Sequence, residues 1–353
     1  MATHHSKLRL EKRNRLESVL PLSTPYSIYL DPASACNFKC SFCPTGHRDL
    51  TKHSYKRSIM PLELFSDIIG QFSNFPNRIR VLRLNKIGEP MLNKNLPEMI
   101  SIAKKSRRVE WIDFATNGSL FNESNIQKIV ESGANRINIS LEGLDSESYL
   151  ENAKVKIDFA ELVSNLTSLF QVKKKMLEKT KEAPEILIKI PRQLLRSRLD
   201  EDRFWSIFDA IADITFIENL VDIWPDFDVI ARSGKPKQEG LGQYQAPVKP
   251  KKVCSVITYS MTINSDGTVS ACCSDWDQKL LLGDLKKDNL TEVWYNKQHL
   301  SLIKAHLSGK RNSLPVCATC GHVNEAQVDD IDDSAKVIED KFSARISGYT
   351  PVK

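Results

Sequence analysis

From Tyr26 to about Trp224 the chain alternates between short runs of β-branched and aliphatic residues and longer segments whose apolar positions recur every three or four residues. The short runs predict strands at Ser27–Leu30, Arg80–Leu84, Trp111–Ala115, Arg136–Ser140 and Glu185–Ile190, and one within Ile214–Trp224. The longer segments predict helices at Pro61–Phe72, Leu96–Lys105, Glu123–Ser132, Asp158–Lys179 and Glu201–Ala212. In the fourth of these, Phe159, Leu162, Val163, Leu166, Leu169 and Phe170 share one helical face. Pro61 opens the first helix, where its missing N–H costs nothing. Leu8, Leu10, Leu16 and Leu20 recur at roughly helical spacing, so residues 5–24 predict a short leading helix that ends before Pro21.

Strands alternating with helices imply parallel βαβ units wound right-handed. Six such units fall short of an eight-fold barrel, so the fold class is α/β, an open, partial (β/α)6 barrel with its chemistry on loops after the carboxyl ends of the strands. Residues 1–25 form a leading extension and 26–225 the barrel. Residues 226–253, rich in Gly, Pro, Gln and Lys, read as a linker or a covering loop. Within 254–322, "TYSMTINSDGTVSACC" alternates around Asp266-Gly267 as a hairpin does, and a helix pair runs from about Leu290 to Leu307. The acidic tail 323–353 reads as a peripheral helix or a partly disordered segment.

The 353 residues suffice for a sizeable core without disulfide staples. The net charge of +6 is scattered, with Lys173-Lys174-Lys175 on what reads as a solvated helix face, and no basic stripe interleaved with aromatics argues for nucleic acid. No apolar run reaches a membrane span, and no secretory signal is evident. The expected compartment is the reducing cytoplasm, where the eight cysteines are metal ligands sooner than disulfides.

Directly after the first strand stands "CNFKCSFCPTG", with Cys36, Cys40 and Cys43 within eight residues. Three thiolates without a fourth suit an iron–sulfur cluster that leaves one iron open. Zinc is the alternative, with His47 as a fourth ligand, although zinc sites usually arrive as two separated pairs.

Cys-x3-Cys-x-aromatic-Cys on this loop, with Phe42 as the aromatic, resembles the radical S-adenosylmethionine (SAM) superfamily. The resemblance implies a radical SAM barrel with a [4Fe–4S] cluster on Cys36, Cys40 and Cys43. SAM would chelate the open iron, and reductive cleavage would give a 5′-deoxyadenosyl radical that abstracts a hydrogen atom. It further implies SAM contacts from Gly88, Glu89 and Pro90 in "NKIGEP", where the family more often has glycine at Ile87. Asn117 in "ATNG" and Ser140 in "NISLEG" also stand at strand ends, and a family arginine is replaced by Lys154. Singly, Asn117-Gly118 is an ordinary turn and Ser140 a strand-end hydroxyl.

Cys254, Cys272, Cys317 and Cys320 can make one closed four-thiolate site, for iron–sulfur or for zinc. Their spacing resembles a shortened SPASM ("twitch") extension, a small cysteine-rich β-hairpin/helix unit with one auxiliary [4Fe–4S] cluster. No cysteine follows Cys320 to supply a second. Cys273 is then the spare, either a buried structural thiol or a hydrogen-atom donor to a substrate radical.

A fully ligated second cluster gives an electron somewhere to go. This favours dehydrogenation of a polar small molecule such as a sugar or aminocyclitol, as in the aminocyclitol dehydrogenases that the architecture resembles. Radical epimerisation or peptide maturation is the runner-up, though about 25 residues before the first strand are few for a precursor-peptide domain. A non-catalytic cluster- or zinc-binding scaffold is the alternative of another class. Arg192 in "KIPRQ" is a candidate contact to SAM or substrate, and Asp226 a candidate base. The resemblance implies a flavodoxin or ferredoxin as reductant.

Overall fold

The computed structural model describes residues 2–5, 14–47 and 57–348. Among the described residues ten strands form one sheet: β1 (Thr3–His4), β2 (Ser27–Leu30), β3 (Ile79–Arg83), β4 (Val109–Thr116), β5 (Arg136–Ser140), β6 (Glu185–Pro191), β7 (Ile214–Glu218), β8 (Ser260–Ile263), β9 (Thr268–Ser270) and β10 (Leu281–Asp284). Their order is β1-β7-β6-β5-β4-β3-β2-β8-β9-β10. From β2 to β7 each strand lies parallel beside its successor, and the sheet stays open. This is the α/β partial barrel expected from the alternation.

Two pairings lie outside that expectation. β8 joins β2 in parallel, from Ser27↔Ser260 to Leu30↔Ile263, so the C-terminal hairpin continues the barrel sheet. At the far edge, β1 pairs in parallel with β7.

Alternation along the strands sorts the side chains. Ile28, Leu30, Leu82, Ile112, Phe114, Ile137, Ile139, Ile186, Ile188 and Ile190 are buried in the core. Each contributes about 1.5–3 kcal/mol, and helices Leu62–Gln71, Leu96–Lys105, Glu123–Glu131 and Phe159–Thr180 pack along the same side of the sheet. The intervening positions include the polar or charged Tyr29, Arg83, Asp113, Asn138, Lys189 and Glu218. The strand register sets them on the concave face.

Side-chain caps moved some helix ends. Ser197 accepts a hydrogen bond from the Asp200 N–H, so that helix spans Arg198–Phe208, starting earlier than apolar spacing suggested. Helix Ser146–Ala153, not anticipated, is set by a reciprocal box between Asp145 and Ser148. The pair near 290–307 is Leu290–Tyr295 and Lys297–Leu307, divided at Asn296, which caps the second. The tail carries helix Ala335–Gly348, which packs on Lys297–Leu307 with Ile338 and Phe342 buried. Of the expected leading helix only Leu16–Val19 is helical among the described residues, and residues 6–13 lie outside them. Lys173 corrects the solvated-face reading of its lysine cluster: it is buried, and its ammonium pairs with Asp213 at 2.5 Å. No described helix is long and apolar enough to cross a membrane.

The segment after β7 includes helix Val229–Ser233 and a strap pinned by a bridge between Leu241 and Pro247. Gln243 N–H donates to Glu325 O at 2.7 Å, and a Cβ on Gly242 would meet that same carbonyl oxygen at 2.4 Å. The strap therefore lies hard against the chain just after the last cysteine.

Candidate active site

β2 ends at Leu30 and feeds the loop that carries Cys36, Cys40 and Cys43. The loop is folded on itself: Cys43 N–H donates to Cys40 O at 3.2 Å and Gly46 N–H to Cys43 O at 3.0 Å. A Cβ on Gly46 would meet Cys40 O at 2.3 Å, so only glycine closes this turn. Phe42 packs against the core. The three thiols sit within electrostatic reach of one another; burial pushes Cys36 up to about 12, and Cys40 and Cys43 upward too. Such thiols ionise when a metal centre supplies the positive charge that burial withholds.

His47 is not their fourth ligand. Its Nε2 lies 2.8 Å from Ser41 O and its Nδ1 3.0 Å from Arg232 Nη1, so both nitrogens are engaged away from the thiols. Among the described residues no three His, Cys, Asp or Glu side chains converge on one metal ion. The donor set fits a cluster, where each thiolate takes its own iron and the sulfurs stand apart, better than zinc.

The loop after β3 is locked onto the cysteine loop. Glu89 N–H donates to Ala35 O at 2.8 Å, and a Cβ on Gly88 would stand 1.8 Å from Ala33 O. Glu89 also ties in the loop after β4: its Oε1 accepts from Met91 N–H at 2.9 Å and Thr116 Oγ1 at 2.7 Å, and its Oε2 from Asn117 N–H at 2.8 Å. Pro90 opens the short turn that follows. Asn117 Nδ2 reaches back to Asn37, inside the cysteine loop. Ser140 ends β5 opposite Lys189. Two residues on, Glu142 is buried with Oε2 lacking a hydrogen-bond partner, beside Cys40 and Lys189, and burial raises its carboxyl to about 8. An orphaned acceptor at the mouth of the cysteine loop fits a site built for a polar ligand such as SAM.

A cavity of about 360 Å³ opens at the amino ends of the strands, beside Ser27, Arg80, Trp111 and Arg136, and reaches inward to Tyr29, Arg83, Asp113, Tyr244 and Cys273. Arg83 Nη1 holds both oxygens of Asp113, at 3.0 and 2.8 Å. Lys189 pairs with Glu218 at the carboxyl ends of β6 and β7. Tyr244 drops from the strap between these two pairs, and burial raises its hydroxyl to about 12. Asn138 adds a buried Oδ1 with no partner.

Sequence reasoning missed these residues. The available signal was a charge within an apolar strand, as at Arg83, Asp113 and Lys189. Arg192, by contrast, is tied to Glu201 of the next helix at 3.1 Å. Asp226 accepts from Thr319 Oγ1 at 2.9 Å and pairs with Lys279 at 3.3 Å, joining the post-barrel chain to the last cysteine corner. Lys154 caps helix Ser146–Ala153 in a left-handed conformation, exposed to solvent.

Cys254, Cys272, Cys317 and Cys320 form a second group. Cys254 lies in electrostatic reach of Cys317, and Cys272 of Cys320 and Cys254; burial pushes Cys254, Cys317 and Cys320 up to about 12. Arg311 secures the corner by donating to the carbonyls of Cys317 and Cys320. Cys273 lines the cavity and acts electrostatically on Tyr29 and Tyr244, and it also lies in reach of Cys254, Cys272 and Cys320.

A model of the radical SAM superfamily matches residues 31–177, and one of an iron–sulfur cluster-binding domain, SPASM, matches 254–321. Together they cover more than half of the chain. The GTP 3′,8-cyclase of Syntrophomonas wolfei is 34% identical over 116 residues, 32% of this chain and 33% of that protein. The chain thus spans about a third of that curated relative's length. Among solved structures, Streptococcus suis SuiB bound to S-adenosylmethionine superposes with a TM-score of 0.60 at 16% identity, over 91% of this chain and 76% of SuiB. BtrN in complex with AdoMet and 2-DOIA gives 0.52 at 17% identity, over 84% and 93%. At these identities the two structures speak to the fold alone.

Proposed function

Because this chain belongs to the radical SAM superfamily and carries a SPASM-type iron–sulfur domain, with [4Fe–4S] clusters and SAM as its cofactors, we propose that it dehydrogenates a polar, hydroxyl-rich small molecule such as a sugar or aminocyclitol. When bound, the cofactors supply a 5′-deoxyadenosyl radical that abstracts a hydrogen atom, and an acceptor for the electron left behind.

The cavity carries the substrate part of the reading. Its volume of about 360 Å³ suits a small molecule. Among its lining charges Arg83 is paired with Asp113, Arg136 with Glu185, and Arg80 stacks on Tyr26, while the Lys189–Glu218 pair lies outside its wall. The Arg83–Asp113 pair keeps hydrogen-bonding capacity on the cavity wall, and Asn138 Oδ1, a buried acceptor without a partner, sits on the same face of the sheet outside that wall. Hydroxyl and amine groups meet these needs.

The residues divide the work by position. Cys36, Cys40 and Cys43 hold the SAM-binding cluster. Gly88, Glu89, Pro90, Asn117 and Ser140 shape the rim around SAM, and Glu142 joins them. Cys254, Cys272, Cys317 and Cys320 hold the auxiliary cluster. Glu218, paired with Lys189 at the same end of the barrel as the cysteine loop, takes the substrate hydroxyl proton. A flavodoxin or ferredoxin serves as reductant.

The test is SAM cleavage by reconstituted protein challenged with a panel of neutral polyols and aminocyclitols, with GTP, and with peptides. Stimulation by a polyol, with one oxidised product per 5′-deoxyadenosine, supports the reading, and Glu218→Gln then slows oxidation at least ~100-fold. Stimulation by GTP or peptide alone overturns it.

A further inference from the structure

Lys86 stands two residues before Gly88, on the loop that presses against the cysteine loop, yet its ammonium crosses to the C-terminal domain. It donates to Asn264 Oδ1 at 2.7 Å and to Asp275 O at 2.8 Å. Asp275 belongs to the turn that begins at Cys272: its N–H donates to Cys272 O at 3.3 Å. Asn264 is fixed in orientation, with Nδ2 donating at 3.0 Å to both Thr268 Oγ1 and Ser270 Oγ. The cation is therefore anchored to the backbone that presents Cys272, and acts electrostatically on Cys272 and Cys273.

Burial pulls the Lys86 ammonium below its ordinary value, and Asp275 and Asp31, followed by the Cys272 and Cys273 sulfurs, favour its charged form. Asp275 turns its carboxylate to the N–H groups of Lys279 and Leu280, both at 2.9 Å. Asp31, on the barrel side, is buried with Oδ1 unpartnered, and burial raises it to about 7. Arg311 acts on Cys254, Cys317 and Cys320 from the C-terminal domain itself. Four thiolates on an iron–sulfur cluster leave it net negative, and reduction by one electron adds a further negative charge. A fixed cation in a poorly solvated place favours that reduced form.

We propose that Lys86 is a positioning residue that holds the auxiliary cluster's reduction potential more positive, so that the loop shaping the SAM site also tunes the second cluster. The inference rests on Cys254, Cys272, Cys317 and Cys320 holding a cluster, and is independent of which substrate is oxidised.

The experiment uses the full chain carrying Cys36→Ala, Cys40→Ala and Cys43→Ala, reconstituted anaerobically so that only the auxiliary cluster remains. Its potential is read by dithionite titration followed by electron paramagnetic resonance. Lys86→Gln is expected to reduce at a lower potential and Lys86→Arg close to the parent. Asn264→Ala, which keeps the charge but frees one anchor, is expected to shift the potential less, in the same direction. An unchanged potential in Lys86→Gln, at full iron content and with only a lowered melting temperature, overturns the proposal and leaves Lys86 a structural tie. If Lys86→Gln loses its iron, an Asn264→Ala potential equal to the parent's overturns it. Absence of iron from the triple variant overturns the four-thiolate cluster itself, and the proposal with it.

Discussion

Asn117 Nδ2 donates to Asn37 Oδ1 at 2.9 Å, which fastens the loop after β4 to the interior of the cysteine loop. Asn37 passes the connection on, from its own Nδ2 to Ser119 Oγ at 2.9 Å, and Asn117 Oδ1 closes the ring by accepting from Ser119. The side chain is thus a clamp on the loop that presents the three thiols. Asn117→Ala removes a net contribution of about 1 kcal/mol from loop order. Iron content is expected to stay at the parent level while SAM binds about fivefold more weakly by equilibrium dialysis. Undiminished SAM affinity would show that the clamp does not order the site.

Gly88 is required for a different reason. An added methyl would stand 1.8 Å from Ala33 O and 2.7 Å from Ala35 O, both backbone atoms of the cysteine loop, so neither neighbour can rotate aside. Gly88→Ala is expected to destabilise by about 2–3 kcal/mol in urea unfolding and to abolish SAM binding. Gly70, in helix Leu62–Gln71 with nothing within 4 Å of an added methyl, is the control. Gly70→Ala is expected to be neutral or to stabilise by up to about 1 kcal/mol. Equal losses at both positions would sink the steric argument.

What the sequence made legible is what periodicity and spacing encode. Ile137 and Ile139 announced β5, and the close-set Cys36, Cys40 and Cys43 announced a metal centre. Pairing across the sheet is encoded in neither. β8 reads as an ordinary hairpin strand, and its place beside β2 depends on Ser27 meeting Ser260, 233 positions away. Thr3–His4 is too short to have a period at all. The cavity residues were hidden for a related reason: Arg83 and Asp113 each look like an isolated charge until register sets them opposite one another. Tyr244 lies in a Gly- and Pro-rich stretch whose composition announces a loop but not that the loop turns inward.

Asp31 gives stability a pH dependence of defined sign. It is 1% exposed, and burial raises its carboxyl to about 7 against the pull of Lys86. In the unfolded chain an aspartate titrates near ~3.9. Between those values the folded state holds a proton that the unfolded state lacks, so this group's contribution falls as pH rises through the window and stays low above it. Asp31→Asn removes the ionisation. Its gain over the parent at about pH 8 is expected to exceed that at about pH 5 by about 2 kcal/mol, measured by urea unfolding of the apoprotein. A gain independent of pH would mean that Asp31 stays ionised in the folded state.

The paired cysteines at the end of β9 offer the sharpest test of the second site. Cys272 and Cys273 are sequence neighbours in the turn that follows β9. Both lie in electrostatic reach of Cys254 and Cys320, but Cys273 also lines the cavity with Tyr29, Arg83 and Tyr244. With two four-iron clusters, anaerobically reconstituted protein is expected to hold about eight irons. Cys36→Ala/Cys40→Ala/Cys43→Ala leaves about four and no SAM cleavage, and Cys254→Ala/Cys317→Ala/Cys320→Ala leaves about four with SAM cleavage retained. Cys272→Ala is expected to behave like the second of these variants. Cys273→Ala should keep about eight irons and alter only the handling of substrate. Loss of about four irons from Cys273→Ala, with none lost from Cys272→Ala, would exchange their roles and take Cys273 out of the substrate's reach.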